Sequence, residues 1–316
     1  MAQARDAGQG AERVADAPPG NWVDRYAPPA WRPYLRLSRA DRPIGTWLLL
    51  IPCWWGLALA VAAYGYRPEA LWITFACGVG AFLMRGAGCT WNDVTDRDFD
   101  GAVARTRSRP IPSGQVSVRG ALAWMAAQAL LAFAILVTFH PAAIALGMLS
   151  LLPVAVYPFA KRFTWWPQAF LGIAFNWGAL LAWAAYAGGL SAAPVLLWLG
   201  GIAWTLFYDT IYAYQDVEDD ALIGVRSTAR RFGDRPGPWL AGFAVAVVAL
   251  LLAAVWTALP PRDAQAASAG ALALGAHMAW QWARLDIRDP HGCLRLFRTN
   301  RDAGLLVLPF FLAAML

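Results

Sequence analysis

Charge is scarce in this sequence, and its scarcity excludes a soluble fold. Only 15% of the 316 residues are Asp, Glu, Lys or Arg, while 59% are hydrophobic and 18 are Trp; soluble globular chains carry roughly 25% charge. Lysine is nearly absent. Lys161 is the single lysine among 26 basic residues, so the net charge of +6 reflects an arginine-biased composition rather than a phosphate-tracking face, and nucleic acid is not an expected partner. The four cysteines, Cys53, Cys77, Cys89 and Cys293, show no C-x-x-C spacing and fall mostly in apolar runs. Neither a zinc site nor a disulfide framework is indicated. Residues 1–30 have no apolar core and contain Asp6, Glu12, Asp16 and Asp24, which excludes a signal peptide and argues against an acid-poor transit peptide. They read as a disordered tail ahead of a membrane domain at residues 31–316.

What the sequence does have is long apolar runs. A hydrocarbon core about 30 Å thick needs roughly 20 apolar residues per helix. Nine such segments are expected, at about 44–64, 70–91, 119–139, 141–160, 165–187, 191–213, 238–258, 265–283 and 302–316, the last short for a span. The runs do not alternate, so the reading is an all-α integral membrane bundle and not a barrel. Pro52, Pro153 and Pro158 predict kinks. All basic residues except Arg67, Arg85 and Arg262 then fall in the amino-terminal segment or in loops after even-numbered spans. By the positive-inside rule these face the cytoplasm, and the chain is expected as a multi-pass protein of a bacterial inner membrane with a cytoplasmic amino terminus.

The acids are equally uneven. Asp93, Asp96, Asp98 and Asp100 close the second span, and Asp209, Asp216, Glu218, Asp219 and Asp220 close the sixth. If each helix continues, Asn92, Asp96 and Asp100 share one face, and so do Asp209, Asp216 and Asp220. Like charges one turn apart repel, so the stripes call for cations between them. Hard oxygen donors suit Mg²⁺, which joins one or two carboxylates to substrate phosphates. Solvated helix ends paired with Arg97, Arg105 and Arg226 would account for one cluster. Two clusters four spans apart resemble an internal duplication with a site at the repeat interface. Arg105, Arg107 and Arg109, held by Pro110, Pro112 and Gly114, form an arginine run matched to diphosphate oxygens. Tyr157 and Lys161 lie one turn apart at the end of span four, where an interfacial anchor pair is the competing reading.

These residues resemble the UbiA-type membrane prenyltransferases, and within them the 4-hydroxybenzoate group. N-D-x-x-D-x-x-x-D is met by Asn92, Asp93, Asp96 and Asp100, inside Met84–Asp93; D-x-x-x-D is met by Asp216 and Asp220, preceded by Tyr208-Asp209 and followed by Ile223-Gly-Val-Arg-Ser-Thr. Tyr157 and Lys161 match a third motif, and Arg39-x-Asp-Arg42-Pro-Ile-Gly45 resembles the entrance of span one. The resemblance runs from about Arg36 to the end of span nine; Glu218 stands where relatives often carry Asp, and Arg107 where lysine is frequent. It implies a cytoplasmic-side acidic cavity in which Asp96, Asp100, Asp216 and Asp220, with Asn92, hold Mg²⁺ and a polyprenyl diphosphate. Lys161, Tyr157, Arg105 and Arg107 would neutralise the diphosphate, and Arg42 or Arg162 would hold the carboxylate of 4-hydroxybenzoate. Asp209 would polarise the phenol or take the ring proton, and the isoprenoid tail would leave into membrane lipid. The implied reaction is an early membrane step of ubiquinone biosynthesis. Relatives acting on menaquinone, haem O or chlorophyll precursors share the acid motifs. A cation-coupled transporter would need a polar path at the bilayer midplane, and Gln128, Asn176 and His277 do not form one.

Overall fold

The computed structural model describes residues 17–18, 20–102, 106–222 and 224–315, without the side chains of Ala102 and Asp219. Residues 1–16, most of the expected tail, and Arg105 lie outside the described residues. Every regular element among those described is helical. In chain order these are α1 (Trp22–Tyr26), α2 (Arg32–Leu37), α3 (Ile44–Tyr64), α4 (Glu69–Thr95), α5 (Arg97–Ala102), α6 (Val118–Leu136), α7 (Pro141–Leu149), α8 (Leu151–Phe163), α9 (Pro167–Ala187) and α10 (Ala192–Ala213). There follow a 3-10 turn (Tyr214–Asp216), α11 (Val217–Leu222), α12 (Thr228–Phe232), α13 (Gly237–Ala258), α14 (Pro261–Ala283), α15 (Pro290–Leu305) and α16 (Leu308–Ala313).

Seven stretches among the described residues are long and apolar enough to cross a membrane: α3, α4, α6, α7 with α8, α9, α10 with the 3-10 turn, and α13. They coincide with the first seven expected spans. The eighth falls on α14, which is long but carries Arg262, Asp263, Gln265, Ser268, His277 and Gln281; the ninth is divided between α15 and α16. Local chemistry sets the boundaries. Pro141, Pro167, Pro261 and Pro290 open helices in the first turn, where a missing N–H costs nothing. Gly188, at φ 79°, closes α9. Pro153 has no N–H to give the Leu149 carbonyl, which explains the break at Ser150; Pro52 and Pro158 stay inside continuous helices.

The chain forms two compact units, Met1–Thr46 with Gly80–Ala134, and Trp47–Val79 with Ile135–Leu316. In the first, Leu37 packs with Val94, Val116 and Ala121, bringing α2 against the end of α4 and the start of α6. Within the stretch read as tail, Trp22–Tyr26 is one helical turn capped by Asn21, with Val23 buried beside Ala27 and Ala40. In the second unit, α10 packs between α9 and α13, α13 lies on α14, and α15 crosses α10. Small residues permit close approach: Gly201 leaves no room for a Cβ beside Asn176, nor does Gly56 beside the Ala179 carbonyl.

Candidate active site

The first acidic motif lies at the end of α4 and through α5. The helix is interrupted at Asp96, yet the ladder persists: the Asp96 N–H donates to the Asn92 carbonyl (2.9 Å) and the Asp100 N–H to that of Asp96 (2.8 Å). Asn92, Asp96 and Asp100 therefore stay one turn apart, as their spacing predicts. Asp93, Asp96 and Asp100 are all buried. Two arginines answer them. Arg39 donates to Asp93 Oδ1 at 2.5 Å, and Arg109 donates to Asp100 Oδ2 at 2.7 Å while standing 3.5 Å from Asp93 Oδ1. The Thr106 hydroxyl donates to the Asp100 carbonyl at 2.9 Å, folding the arginine loop back onto the motif. Burial pushes the Asp100 carboxyl above its ordinary value; Arg109 opposes that shift, and Asp93 and Asp96 add to it.

The arginine run therefore divides. Arg109 is a counter-ion of the acids, while Arg107 is exposed. The sequence does not announce the Arg39–Asp93 pair, and Arg39 carries a further signature, a φ of 55° that no other non-glycine described residue shares in sign. Sequence spacing gives no hint of it, because Arg39 and Asp93 are far apart along the chain. Arg42 is half-buried and its Nε lies 3.3 Å from Asp41 Oδ1. Arg85 lies against Gly45 so closely that a Cβ there would meet its guanidinium.

The second motif occupies the end of α10 and α11. Thr205 and Tyr208 share a hydrogen bond (3.0 Å), and Asn176 donates to Thr205 at 2.9 Å. The rings of Tyr208 and Tyr212 lie 5.8 and 4.5 Å from that of Phe297. These contacts fix the turns that carry half-buried Asp209. The 3-10 turn then winds the chain more tightly, rotating later residues by roughly 20° each relative to an α-helix. Asp216 and Asp220 remain one turn apart, and the three residues of the turn shift both by roughly 60° about the axis relative to Asp209, compared with a continuous α-helix. The loop after Asp220 returns to α8. The Arg226 N–H donates to the Lys161 carbonyl (3.0 Å), its guanidinium to the Phe163 carbonyl (2.7 Å), and the Val225 N–H to the Asp220 carbonyl (2.9 Å). The loop that leaves the second motif is thus hydrogen-bonded to the backbone at the end of α8, the helix that carries Tyr157 and Lys161. Arg162 is exposed, 5.1 Å above the Phe159 ring.

Among the described residues no three Asp, Glu, His or Cys side chains form an ion site by themselves. The donor set nevertheless fits a hydrated divalent cation. Asp93 is wholly buried with Oδ2 unpartnered, and the charges of Asp93 and Asp96 bear on Asp100. Mg²⁺ keeps several waters and is held through one or two carboxylates together with substrate phosphates, so a complete all-protein cage is not required.

Residues 49–313 match the model of the UbiA prenyltransferase family. The 4-hydroxybenzoate polyprenyltransferase, mitochondrial, of Bos taurus is 48% identical over 289 residues, covering 90% of this chain and 76% of that protein. The protein of the same name from Homo sapiens is 47% identical, over 89% and 75%. The apo structure of a UbiA homolog from Aeropyrum pernix K1 superposes with a TM-score of 0.68 at 25% identity, covering 86% of this chain and 98% of that one. A UbiA homolog from Archaeoglobus fulgidus bound to GPP and Mg²⁺ has the same fold, with a TM-score of 0.65 at 18% identity over 90% and 99%. The relatives named mitochondrial overturn the expected placement in a bacterial inner membrane. Loop charge sorts loops by side but carries no information about which membrane is crossed. By its match over most of its length, the chain belongs to the UbiA prenyltransferase family.

Proposed function

We propose that this prenyltransferase transfers a polyprenyl group from polyprenyl diphosphate to the ring carbon ortho to the hydroxyl of 4-hydroxybenzoate. The observation that carries the reading is 48% identity, across 90% of this chain, to a protein that performs the transfer by name. The relatives' names support a mitochondrial membrane, and the catalytic domain is assigned to residues 31–316. Asp96, Asp100, Asp216 and Asp220, with Asn92, would hold the divalent cation; the Archaeoglobus relative supports Mg²⁺. When bound, the metal supplies Lewis acidity at the leaving diphosphate.

The protein's own residues do the rest. Lys161, Tyr157, Arg105 and Arg107 meet diphosphate oxygens, so that charge gained as the allylic C–O bond breaks is met by preorganised donors. The bond pair leaves with the diphosphate. A π pair of the acceptor ring forms the new C–C bond, and the proton on that carbon passes to Asp209. Arg42, half-buried, is assigned the acceptor carboxylate in preference to exposed Arg162.

The test incubates purified protein with Mg²⁺, geranyl or longer diphosphates and a panel of aromatic acids, and identifies products by mass. A prenylated 4-hydroxybenzoate is expected. Diphosphate release with prenylation of another acceptor would reassign the substrate. Asp96→Ala and Asp216→Ala should each lower turnover at least about 100-fold, the loss typical of removing a preorganised charge-stabilising group, with unchanged melting in detergent. Full activity in both would remove the metal-site assignment.

A further inference from the structure

Trp22, Tyr26 and Trp31 are 45%, 71% and 54% exposed, although the segment that bears them is firmly held. The Trp22 indole donates to the Ala40 carbonyl at 2.7 Å, and Val23, Ala27 and Ala40 are buried together against Leu35. The rings of Trp31 and Tyr34 lie 5.9 and 5.5 Å from that of Trp124, whose indole donates to Ser38 at 2.8 Å. Trp124 is six residues into α6, a helix long and apolar enough to cross the membrane. At 1.5 Å per residue, that is about 9 Å along the helix from its first residue. The exposed aromatics are thus docked beside the end of a membrane helix, where amphipathic rings settle.

Trp22, Tyr26, Ala27, Pro28, Trp31 and Leu35 line a cleft of about 360 Å³. Its rim is cationic. Arg25 is exposed, with its guanidinium 5.3 Å from the Tyr26 ring centre, and half-buried Arg32 donates through Nε to the Ala27 carbonyl at 2.9 Å. The neighbouring acid, Asp24, is already engaged by Arg36 at 2.8 Å. An apolar cleft beside two arginines, near the start of a helix apolar enough to cross a membrane, matches a lipid whose chain is apolar and whose head is anionic. We propose that residues 22–35 form a binding site for an anionic phospholipid, with an acyl chain in the aromatic cleft and the phosphate against Arg25 and Arg32. The site is separate from the acidic motifs and takes no part in prenyl transfer.

The experiment reconstitutes the full chain in phosphatidylcholine nanodiscs doped with phosphatidylglycerol or phosphatidylcholine bearing a photoreactive acyl chain, and maps labelled peptides by mass. Labelling is expected on residues 22–35, with phosphatidylglycerol preferred by about fivefold for each arginine engaged. Arg25→Gln with Arg32→Gln should abolish the preference, leaving labelling at exposed Val245 on α13 and prenyl transfer unchanged. Arg25→Gln alone, at an exposed position, gives the partial effect should the double variant unfold. Equal labelling from both lipids, labelling no stronger than at Val245, or displacement by a polyprenyl diphosphate would each overturn the proposal. So would labelling that arises only after removal of residues 1–16, which would assign the cleft to that segment.

Discussion

Arg39 sits at φ 55°, a conformation that costs a side-chain-bearing residue about 1–2 kcal/mol, and it is held there by a 2.5 Å bond to buried Asp93. Removing one partner of a buried pair leaves an uncompensated charge, so Arg39→Ala should destabilise the fold by about 3–5 kcal/mol. Arg39→Gly loses the same pair but relieves the backbone, so it should be less harmful than Arg39→Ala by about 1 kcal/mol. Thermal unfolding in detergent measures both, and equal losses would show that the backbone is not strained. Asp100 makes the opposite prediction. Its raised carboxyl pKa means that the folded state binds a proton more readily than the unfolded one, so metal-free stability falls as pH rises from the ordinary carboxylate range through the folded value. Asp100→Asn removes that penalty. Without divalent cations the variant should melt higher than wild type at pH 7, and the gap should close near pH 4, while prenyl transfer is lost.

At the scale of elements, close approach of helices decides stability. Asn176 is buried between α9 and α10, donating to the Gly172 carbonyl at 2.8 Å and to Thr205, and Gly201 opposite leaves no space beside it. Gly201→Leu should cost about 3 kcal/mol by overpacking, seen as a lower melting temperature and a broadened elution profile. Gly242→Leu on α13, which faces open space, should change neither. The elements themselves were legible in the sequence because apolar runs and prolines act locally: seven spans, the boundary before Pro141 and the four-residue spacing of Asn92, Asp96 and Asp100 all follow from neighbours in the chain. What was not legible depends on distant residues. Arg109 reads as a member of an arginine run matched to diphosphate oxygens until Thr106 folds its loop back onto Asp100, and the 3-10 turn that shifts Asp216 and Asp220 about the axis relative to Asp209 leaves no mark in their spacing. No spacing rule reports either event.

At the scale of the whole molecule, the open question is whether α14 crosses the bilayer. Its 23 residues reach about 34 Å at 1.5 Å per residue, enough for a core of about 30 Å, yet its polar residues keep its hydropathy low. Two of the mid-helix and late polar groups are satisfied within the protein: buried Gln281 donates through its amide to the Leu296 carbonyl at 3.0 Å, and the Ser268 hydroxyl donates to the Ala264 carbonyl at 2.6 Å, while Arg262 and Asp263 lie in the first turn. A polar group satisfied inside the protein does not pay the cost of exposure to lipid, so a hydropathy threshold set for lipid-facing helices understates such a span. The charge pattern agrees, since Arg262, in the first turn, is the single basic residue at the start of α14, whereas Arg284, Arg288, Arg295, Arg298 and Arg301 follow it. All four native cysteines are buried, so single introduced cysteines at exposed sites can report sidedness in sealed vesicles. Arg262→Cys should react with an impermeant maleimide from the same side as Tyr66→Cys and Ser191→Cys, and Arg288→Cys from the other, with Ser113→Cys and Arg235→Cys. Labelling of Arg262→Cys and Arg288→Cys from one side would make α14 a helix that does not cross and reduce the bundle to its seven apolar spans.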